Sequence, residues 1–235
     1  KQALGQQAGG QRGAMAGPAQ AGLAGVPGLY RATFAGGYTI EFLVADAATG
    51  EAREFWHNQP DDRGFPNISA IEWAGDHVVF QAEPEEWIRY YSVSVDGGAT
   101  APLLLTPGDG MVESVSLSKD GRTLFYCTNA GDIDRRHVWR VPTAGGEAVQ
   151  VTRGEEIETY PAALASGAQV AVLAASWRRP QSVGLAPASG GAVRLIFPTL
   201  PKDFPLDRHV VPQNVTLKAA DGLQFTNQLF LPKGL

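Results

Sequence analysis

Residues Ser114–Asn129 read SVSLSKDGRTLFYCTN, and this pattern predicts two antiparallel strands joined by a tight turn. Apolar and polar residues alternate in the first half, as in a strand with one buried face. The Lys-Asp-Gly sequence at 119–121 supplies the turn, because glycine accepts the positive φ that such turns require. The second half is almost entirely apolar. The predicted strands are Val112–Leu117 and Thr123–Cys127.

Two further strands complete the unit. A polar loop, NAGDIDRR, leads to a third predicted strand, His137–Val141. A Thr-Ala-Gly-Gly turn then leads to a fourth, Glu147–Val151. Four antiparallel strands in roughly 46 residues are typical of one blade of a β-propeller. One blade cannot bury both of its faces, so it has to stack against its neighbours.

The unit repeats along the chain, and two series of glycines mark it. One series precedes a strand of each unit at spacings of 47, 46 and 46 residues, and the other lies in the next turn at spacings of 47, 48 and 45. The members are Gly28, Gly75, Gly121 and Gly167, then Gly50, Gly97, Gly145 and Gly190. Because the two glycine series have nearly the same spacing, the sequence predicts an all-β fold of four-stranded antiparallel propeller blades.

The blades are predicted to occupy residues 28–198. Residues 1–27, rich in Gly, Ala and Gln, are predicted to form a flexible arm or linker. The first unit lacks its opening strand, so we expect a partial propeller, although four blades can also close on themselves. Residues 199–213 are Pro-rich and irregular, which predicts a connector, and residues 214–235 follow it as a separate hairpin.

The predicted hairpin reads VTLKAADGLQFTNQLFLPKGL, Val215–Leu235. Alternating apolar residues run along both arms, on either side of an Asp221-Gly222 turn. None of the blade markers occurs in it. A strand pair this apolar needs another layer over one face. We therefore expect it to begin a further domain, or to remain as an edge prone to association.

Charge and composition exclude several classes of protein. The chain has 235 residues, of which 44% are hydrophobic and 18% charged, as in ordinary globular proteins. A net charge of −5 argues against nucleic-acid binding, which needs a basic face. No window of about eighteen apolar residues predicts a membrane-spanning helix. The single cysteine, Cys127, forms no internal disulfide and is expected to be a small buried hydrophobe.

Three stretches resemble one protein family. SLSKDGRTLFY resembles the WD40-like repeat of TolB-type proteins and of serine-peptidase propellers. GDIDRRHVWRVPTAGGEAVQVTRGEEIE resembles the propeller of bacterial prolyl oligopeptidase-family serine peptidases, of the dipeptidyl peptidase IV or acylaminoacyl-peptidase type. VTLKAADGLQFTNQLFLPKG is similar to the strand pair that opens the α/β-hydrolase domain of those proteins. The resemblance covers residues 28–235.

The resemblance implies a serine peptidase whose propeller gates and positions short peptides for an α/β-hydrolase domain. The sequence contains no G-x-S-x-G nucleophile elbow and no H-G-G oxyanion stretch. No catalytic residue is therefore assigned, and the chain alone is expected to be inactive. We expect the catalytic domain downstream in the parent chain or on a second chain. The alternative is a non-catalytic, TolB-like periplasmic propeller that acts as a binding or scaffold module.

An acidic loop is the first candidate substrate site. EPEEWIRYY places Glu83, Glu85 and Glu86 beside aromatic residues, between the second and third strands of a blade. Paired carboxylates can hold the free amino terminus of a peptide by charge-assisted hydrogen bonds, as the glutamate pair of dipeptidyl peptidases does. That family pair lies earlier in its propeller, however. The other interpretation is a solvated acidic loop whose aromatic neighbours pack in the core.

Two arginines are the second candidate. In GDIDRRHVW, Arg135 or Arg136 can bind a carboxylate or carbonyl of the substrate, or pair with the hydrolase domain. Local pairing with the aspartates of the same loop is the other interpretation. A calcium loop would need more oxygen ligands, and the arginines work against it.

No metal site or cofactor is predicted. The four histidines have neither an H-E-x-x-H nor an H-x-x-x-H spacing. A propeller enzyme with its site in the central channel would need His, Glu or Asp at matched positions of successive units, and the aligned units show none. The expected partners are a peptide substrate and the hydrolase domain, with a second copy of the chain left open. A periplasmic or secreted location is expected.

Overall fold

The computed structural model describes residues 33–60, 65, 67–98 and 101–234. The predicted arm over residues 1–27 and the first marker, Gly28, lie outside the described residues. Within these residues the chain forms sixteen strands and one short 3-10 helix, Leu206–Arg208. The predicted all-β fold class is confirmed.

The first fourteen strands form four consecutive sheets, which we number blades 1 to 4. Blade 1 has two strands, β1 (Glu41–Ala45) and β2 (Ala52–His57). Blade 2 has β3 (Ile68–Ala74), β4 (His77–Ala82), β5 (Arg89–Ser94) and β6 (Leu103–Leu104). Blade 3 has β7 (Val112–Leu117), β8 (Thr123–Thr128), β9 (His137–Pro142) and β10 (Val149–Gln150). Blade 4 has β11 (Ile157–Ala163), β12 (Gln169–Ser176), β13 (Arg179–Pro187) and β14 (Arg194–Phe197).

Blades 2, 3 and 4 are antiparallel meanders in which sequential strands are neighbours. Half a blade and three whole blades do not close into a ring within the described residues. The expectation of a partial propeller is thus confirmed, and the alternative of a closed four-bladed ring is not what these residues form.

The strands of blade 3 follow the sequence pattern closely. β7 has the predicted bounds, and β8 and β9 each extend one residue further than predicted. The fourth strand is shorter than the predicted Glu147–Val151. It ends at Gln150 because the amides of Val151 and Thr152 both donate to the carbonyl of Val138, at 2.8 and 3.1 Å, which interrupts the ladder.

The hydrophobic core is divided into three layers, each between two successive blades. The second strand of a blade supplies both neighbouring layers, because its side chains alternate between its faces. In β8, Leu124 and Tyr126 pack towards blade 2, whereas Phe125 and Cys127 pack towards blade 4. Blades 2 and 3 thus bury one face against the blade before them and the other against the blade after them.

Aromatic residues fill the layer between blades 1 and 2. Phe80 of β4, fully buried, lies 5.5 Å from Phe42, 5.7 Å from Trp56 and 6.0 Å from Tyr91, measured between ring centroids. The contacts are edge-on with Phe42, tilted with Trp56 and stacked with Tyr91, and such ring pairs add to the free energy that the buried area contributes. This layer holds the two-stranded blade 1 onto the rest of the stack.

The first strand of each four-stranded blade is irregular. The register of β3, β7 and β11 shifts against the neighbouring strand, as at a β-bulge. Ala70 in β3 and Tyr160 in β11 have φ values of 46° and 50°. A left-handed backbone is uncommon for these residue types, and the two positions correspond between blades.

The remaining two strands form a sheet of their own. β15 (Gln213–Lys218) and β16 (Gln224–Leu229) pair with each other, and neither pairs with a strand of blade 4. Between β14 and β15 the chain is irregular apart from the 3-10 helix. We call β15 and β16 the hairpin. No helix in the described part of the chain is long and apolar enough to cross a membrane.

Candidate functional site

The candidate residues lie at one end of the blades. In an antiparallel meander, every connection from the second to the third strand leaves the blade at the same end, and the fourth strand also finishes there. The connections after β4, β8 and β12 therefore share an end with the exit from β14 to the hairpin. We call this the hairpin end. The turns from first to second strand lie at the opposite end.

The three glutamates of the predicted amine anchor lie in the connection between β4 and β5. Glu83, Glu85 and Glu86 are all exposed, and none forms an ion pair with a described cation. Next to them, the buried Arg89 donates to the carbonyl of Thr106 at 3.2 Å, which fixes the start of β5. The loop thus presents free carboxylates to solvent at the hairpin end.

Both predicted arginines are half-buried and already paired. Arg135 Nη1 lies 3.1 Å from Asp132 Oδ2 in the same loop. Arg136 donates from Nε at 2.9 Å and from Nη2 at 2.8 Å to one oxygen of Glu113 in β7. A substrate carboxylate would have to compete with these partners. Arg135 forms the local Asp–Arg pair considered as the alternative, whereas the partner of Arg136 comes from another strand.

Asp134, which the sequence did not single out as a site residue, joins this loop to the hairpin. Its carboxylate accepts hydrogen bonds from the side-chain amides of Asn214 and Gln228, the latter at 3.4 Å. These partners lie 80 and 94 residues further along the chain. No local sequence signal connects residues so far apart, and the alternative considered for the aspartates of this loop was pairing with the arginines of the same loop.

The hairpin turns its polar face towards the blades. Asn214 pairs with Gln228 across the two strands, so both side chains leave the same face. The opposite face carries the apolar alternation, in which Leu217 pairs with Phe225. These two side chains are 46% and 43% exposed. Further exposed apolar side chains follow along the hairpin and after it: Leu223, Leu229, Phe230 and Leu231.

A cavity of about 590 Å³ lies between this loop, blade 4 and the hairpin. Asp132, Asp134 and Arg135 line it from blade 3, and Trp177 lines it from the turn between β12 and β13. The hairpin side of the wall consists of Val211, Pro212, Asn214, Gln228 and Phe230. The structure therefore brings Arg135 to the cavity. Arg136 and the three glutamates do not line it.

A buried polar pair fastens blades 3 and 4 at the hairpin end. His137 Nδ1, at the start of β9, lies 2.9 Å from Glu158 Oε2 in β11. The amide of Glu158 also donates to the carbonyl of Arg136 at 2.8 Å. The strand beside the cavity is thus held to the next blade by both backbone and side-chain bonds.

The described residues offer neither a reactive thiol nor a metal cluster. Cys127 is fully buried, and burial raises the pKa of its thiol, which opposes formation of the nucleophilic thiolate. No group of three or more His, Cys, Asp or Glu side chains in the described ranges could hold a metal ion. The chemistry that these residues can perform at the hairpin end is binding by carboxylates, guanidinium groups and amides.

The blade pattern matches a known protein family. A family model for the dipeptidyl peptidase IV (DPP IV) N-terminal region matches residues 39–181. The chain belongs to this family. The match spans blades 1 to 3 and the first two strands of blade 4, so the predicted resemblance to the dipeptidyl peptidase IV type is confirmed. Among curated proteins, no sequence matches the chain.

One solved peptidase structure has a similar fold, and a second solved structure matches more weakly. Dipeptidyl peptidase 4 of Porphyromonas gingivalis matches with a TM-score of 0.57 and 14% sequence identity, over 80% of this chain and 27% of that one. A TolB-type protein of Agrobacterium tumefaciens matches with a TM-score of 0.45 and 20% identity, over 68% of this chain and 61% of that one. The chain thus spans about a quarter of the peptidase it matches, and the likeness concerns the fold.

Proposed function

We propose that this chain is the substrate-gating and positioning portion of a serine peptidase that cleaves short peptides. The observation that carries the proposal is the hairpin. Its polar face is bonded to blade 3 through Asp134, while Leu217 and Phe225 on its other face remain exposed. An uncovered apolar sheet beside a cavity is what a neighbouring domain would cover.

The covering layer, on this proposal, is the α/β-hydrolase domain of the same parent protein. Membership in the N-terminal region family of dipeptidyl peptidase IV supports this, since that region is one part of a larger peptidase. The sequence contains no G-x-S-x-G pentapeptide, so the nucleophile has to come from the other domain. The cavity at the hairpin end would then open towards the catalytic centre.

The exposed carboxylates of Glu83, Glu85 and Glu86 are the proposed anchor for the amino terminus of the peptide. They are free of ion pairs with described cations, so binding an ammonium group breaks no existing pair. Arg135 on the cavity wall is proposed to orient a carbonyl of the substrate while it keeps its bond to Asp132. Arg136 is proposed to support this loop through Glu113.

The first experiment compares this chain with the chain joined to the sequence that follows it in the parent gene. Both are assayed with dipeptide and acyl-amino-acid chromogenic substrates, with and without a serine-directed inhibitor. We expect activity, blocked by the inhibitor, from the longer protein alone. Activity from the 235-residue chain, or none from the longer protein, would overturn the proposal.

The second experiment tests whether the glutamates bind the amino terminus of the substrate or only support the fold. In the longer protein, the double variant Glu85→Gln/Glu86→Gln should raise KM for substrates with a free amino terminus at least about tenfold, as expected for a lost charge-assisted hydrogen bond. Substrates with an acetylated amino terminus should be unaffected. Glu51→Gln, an exposed glutamate of blade 1, is the matched control. Equal effects on both substrate types would show that these glutamates are not the anchor.

A non-catalytic scaffold of the TolB type leaves the exposed face of the hairpin without a role, and we therefore place it second.

Periplasmic or secreted location is part of the main proposal and is tested by fractionating cells that express the parent gene. A second copy of the chain is the other candidate cover for the hairpin. Sedimentation of the longer protein tests it, since a covered hairpin should leave that protein monomeric.

A further inference from the structure

A second cavity, of about 470 Å³, lies between blades 3 and 4 at the end opposite the hairpin. One side is formed by the turn between β7 and β8, with Ser118, Lys119 and Asp120. The other is formed by the turn between β11 and β12, residues 163–167. Phe125 and Ala188 supply apolar wall, and Arg140 projects between the blades from β9. The volume is in the range of small-molecule sites.

The equivalent place between blades 2 and 3 is closed. There the two turns touch, because a Cβ added to Gly121 would overlap the backbone of Ala74 and Gly75. Gly167, which holds the same position in blade 4, has no atom within 4 Å of such a Cβ. The blade stack is therefore tight at one interface and open at the next, although the repeat is the same.

Two residue exchanges between the repeats accompany the opening. Between blades 2 and 3, Ser92 Oγ donates to the carbonyl of Thr143 at 2.6 Å, and Thr143 Oγ1 donates to the carbonyl of Gly121 at 2.9 Å. One blade later, Arg140 stands in place of Ser92 and Ala188 in place of Thr143. The hydroxyl chain that ties the interface together is lost, and a longer cationic side chain replaces it.

Arg140 has no partner for its charge among the described residues. Its Nε is buried without a hydrogen bond, and no described carboxylate lies within ion-pair distance of the guanidinium group. Asp120, on the same wall, forms no ion pair with Arg140; its Oδ1 accepts from Ser118 Oγ at 2.6 Å and from the amide of Arg122 at 3.1 Å. With Lys119 also on the wall, the cavity carries one more cation than anion.

We propose that this cavity binds the carboxylate of a small ligand with a short apolar body. Arg140 supplies a planar donor that suits a carboxylate, and Lys119 supplies a second cation at the rim. Phe125, Leu164 and Ala188 receive the apolar part. The carboxylate belongs to a free small acid or to the carboxyl terminus of a peptide. Because the cavity lies at the far end of the blades from the hairpin, it is separate from the proposed peptidase site.

Binding is tested on the 235-residue chain by isothermal titration calorimetry with N-acetyl-leucine, and with its uncharged amide as the control ligand. We expect the acid to bind and the amide not to bind detectably. Arg140→Gln should lower the association constant at least about tenfold, since it removes a charge-assisted hydrogen bond. Arg194→Gln, which removes an exposed arginine of blade 4 outside the cavity, should leave it unchanged. The proposal is overturned if the acid and the amide bind equally well. It is also overturned if Arg140→Gln binds the acid as tightly as the unaltered chain does.

A second variant tests the location without changing charge. Ala165 is exposed at the mouth of the cavity, so Ala165→Trp should block entry and abolish binding while circular dichroism stays unchanged. Chemical-shift changes on adding the acid should centre on the amides of Ser118 and Gly167. Titration with acetyl-Ala-Ala-Leu then shows which kind of ligand supplies the carboxylate. If this peptide binds more tightly than N-acetyl-leucine, the ligand is a peptide terminus. If it binds more weakly, the ligand is a free small acid. Shifts confined to the hairpin end would place the ligand elsewhere and contradict the proposal.

Discussion

His137 in blade 3 and Glu158 in blade 4 are joined by a buried hydrogen bond of 2.9 Å, and the two residues are 8% and 1% exposed. The bond bridges two sheets that are also held by apolar packing, by backbone bonds, and by the hydroxyls of Ser114 and Ser116, which accept from the amides of Tyr160 and Ala163. Since a buried carboxylate without a partner is costly, this pair makes the interface specific for its correct neighbour.

Glu158→Ala should lower the free energy of unfolding by about 3 kcal/mol, because it leaves the ring nitrogen of His137 buried without its partner. Glu158→Gln, which can still accept a hydrogen bond, should cost only about 1 kcal/mol. Urea unfolding followed by tryptophan fluorescence measures both. Glu147→Ala, at an exposed position in blade 3, is the control. Equal losses for Ala and Gln would mean that a neutral hydrogen-bond acceptor at this position does not stabilise the interface.

Asp134→Ala should release the hairpin without unfolding the blades. The variant removes the acceptor of the hydrogen bonds from Asn214 and Gln228. This loss should lower the free energy of local opening of the hairpin by about 1 kcal/mol, which corresponds to a roughly fivefold larger opening constant. Amide hydrogen exchange in β15 and β16 should therefore accelerate about fivefold, while β7 to β9 exchange as before. Asp96→Ala, in an exposed turn of blade 2, should change neither. Unchanged exchange in the hairpin would show that other contacts hold it.

Phe80→Ala tests the aromatic layer between blades 1 and 2. Phe80 is fully buried among four other aromatic rings, so truncation should cost about 3–5 kcal/mol through lost burial and a cavity. Trp73→Ala removes a larger ring that is 59% exposed, and should cost no more than about 0.5 kcal/mol. Thermal unfolding monitored by circular dichroism compares them. Similar losses for the two variants would contradict the layered core.

Cys127 should be unreactive in the folded chain. Burial raises its pKa, so at any given pH the folded chain holds less thiolate than a free thiol does. Labelling with a thiol-specific disulfide reagent should be at least about tenfold slower in buffer than in denaturant. As a control, Cys127→Ala/Ser166→Cys places the thiol at an exposed position and should react at once. Fast labelling of native Cys127 would mean that blades 3 and 4 open readily.

Sequence repetition made the blades predictable. Alternation and the turn glycine set the bounds of β7, and the glycine spacing set the number of units, because both depend on residues close in the chain. The contacts that shape the sites are of another kind. Asp134 accepts a hydrogen bond from Asn214, 80 residues further along the chain, and Nε of Arg140 is buried without a hydrogen bond where the preceding repeat has the hydrogen-bonded Ser92. Ala70 and Tyr160 adopt positive φ where the strand pattern predicts none. These features depend on contacts between blades, and the sequence of one repeat alone does not predict such contacts.

Asp120 provides the pH test of the turn between β7 and β8. The hydrogen bond from Ser118 Oγ, followed by the one from the amide of Arg122, lowers the pKa of Asp120 below its ordinary 3.8. A carboxyl whose folded pKa is depressed adds stability above its unfolded pKa, and this stability is lost as the pH falls through the folded value. NMR titration should give a pKa below 3.8 that rises in Ser118→Ala. The free energy of unfolding should be higher for the unaltered chain than for Asp120→Asn. This difference should be constant around neutral pH and should decrease below about pH 4. A difference that does not change with pH would show that the charge of Asp120 has no part in holding the turn.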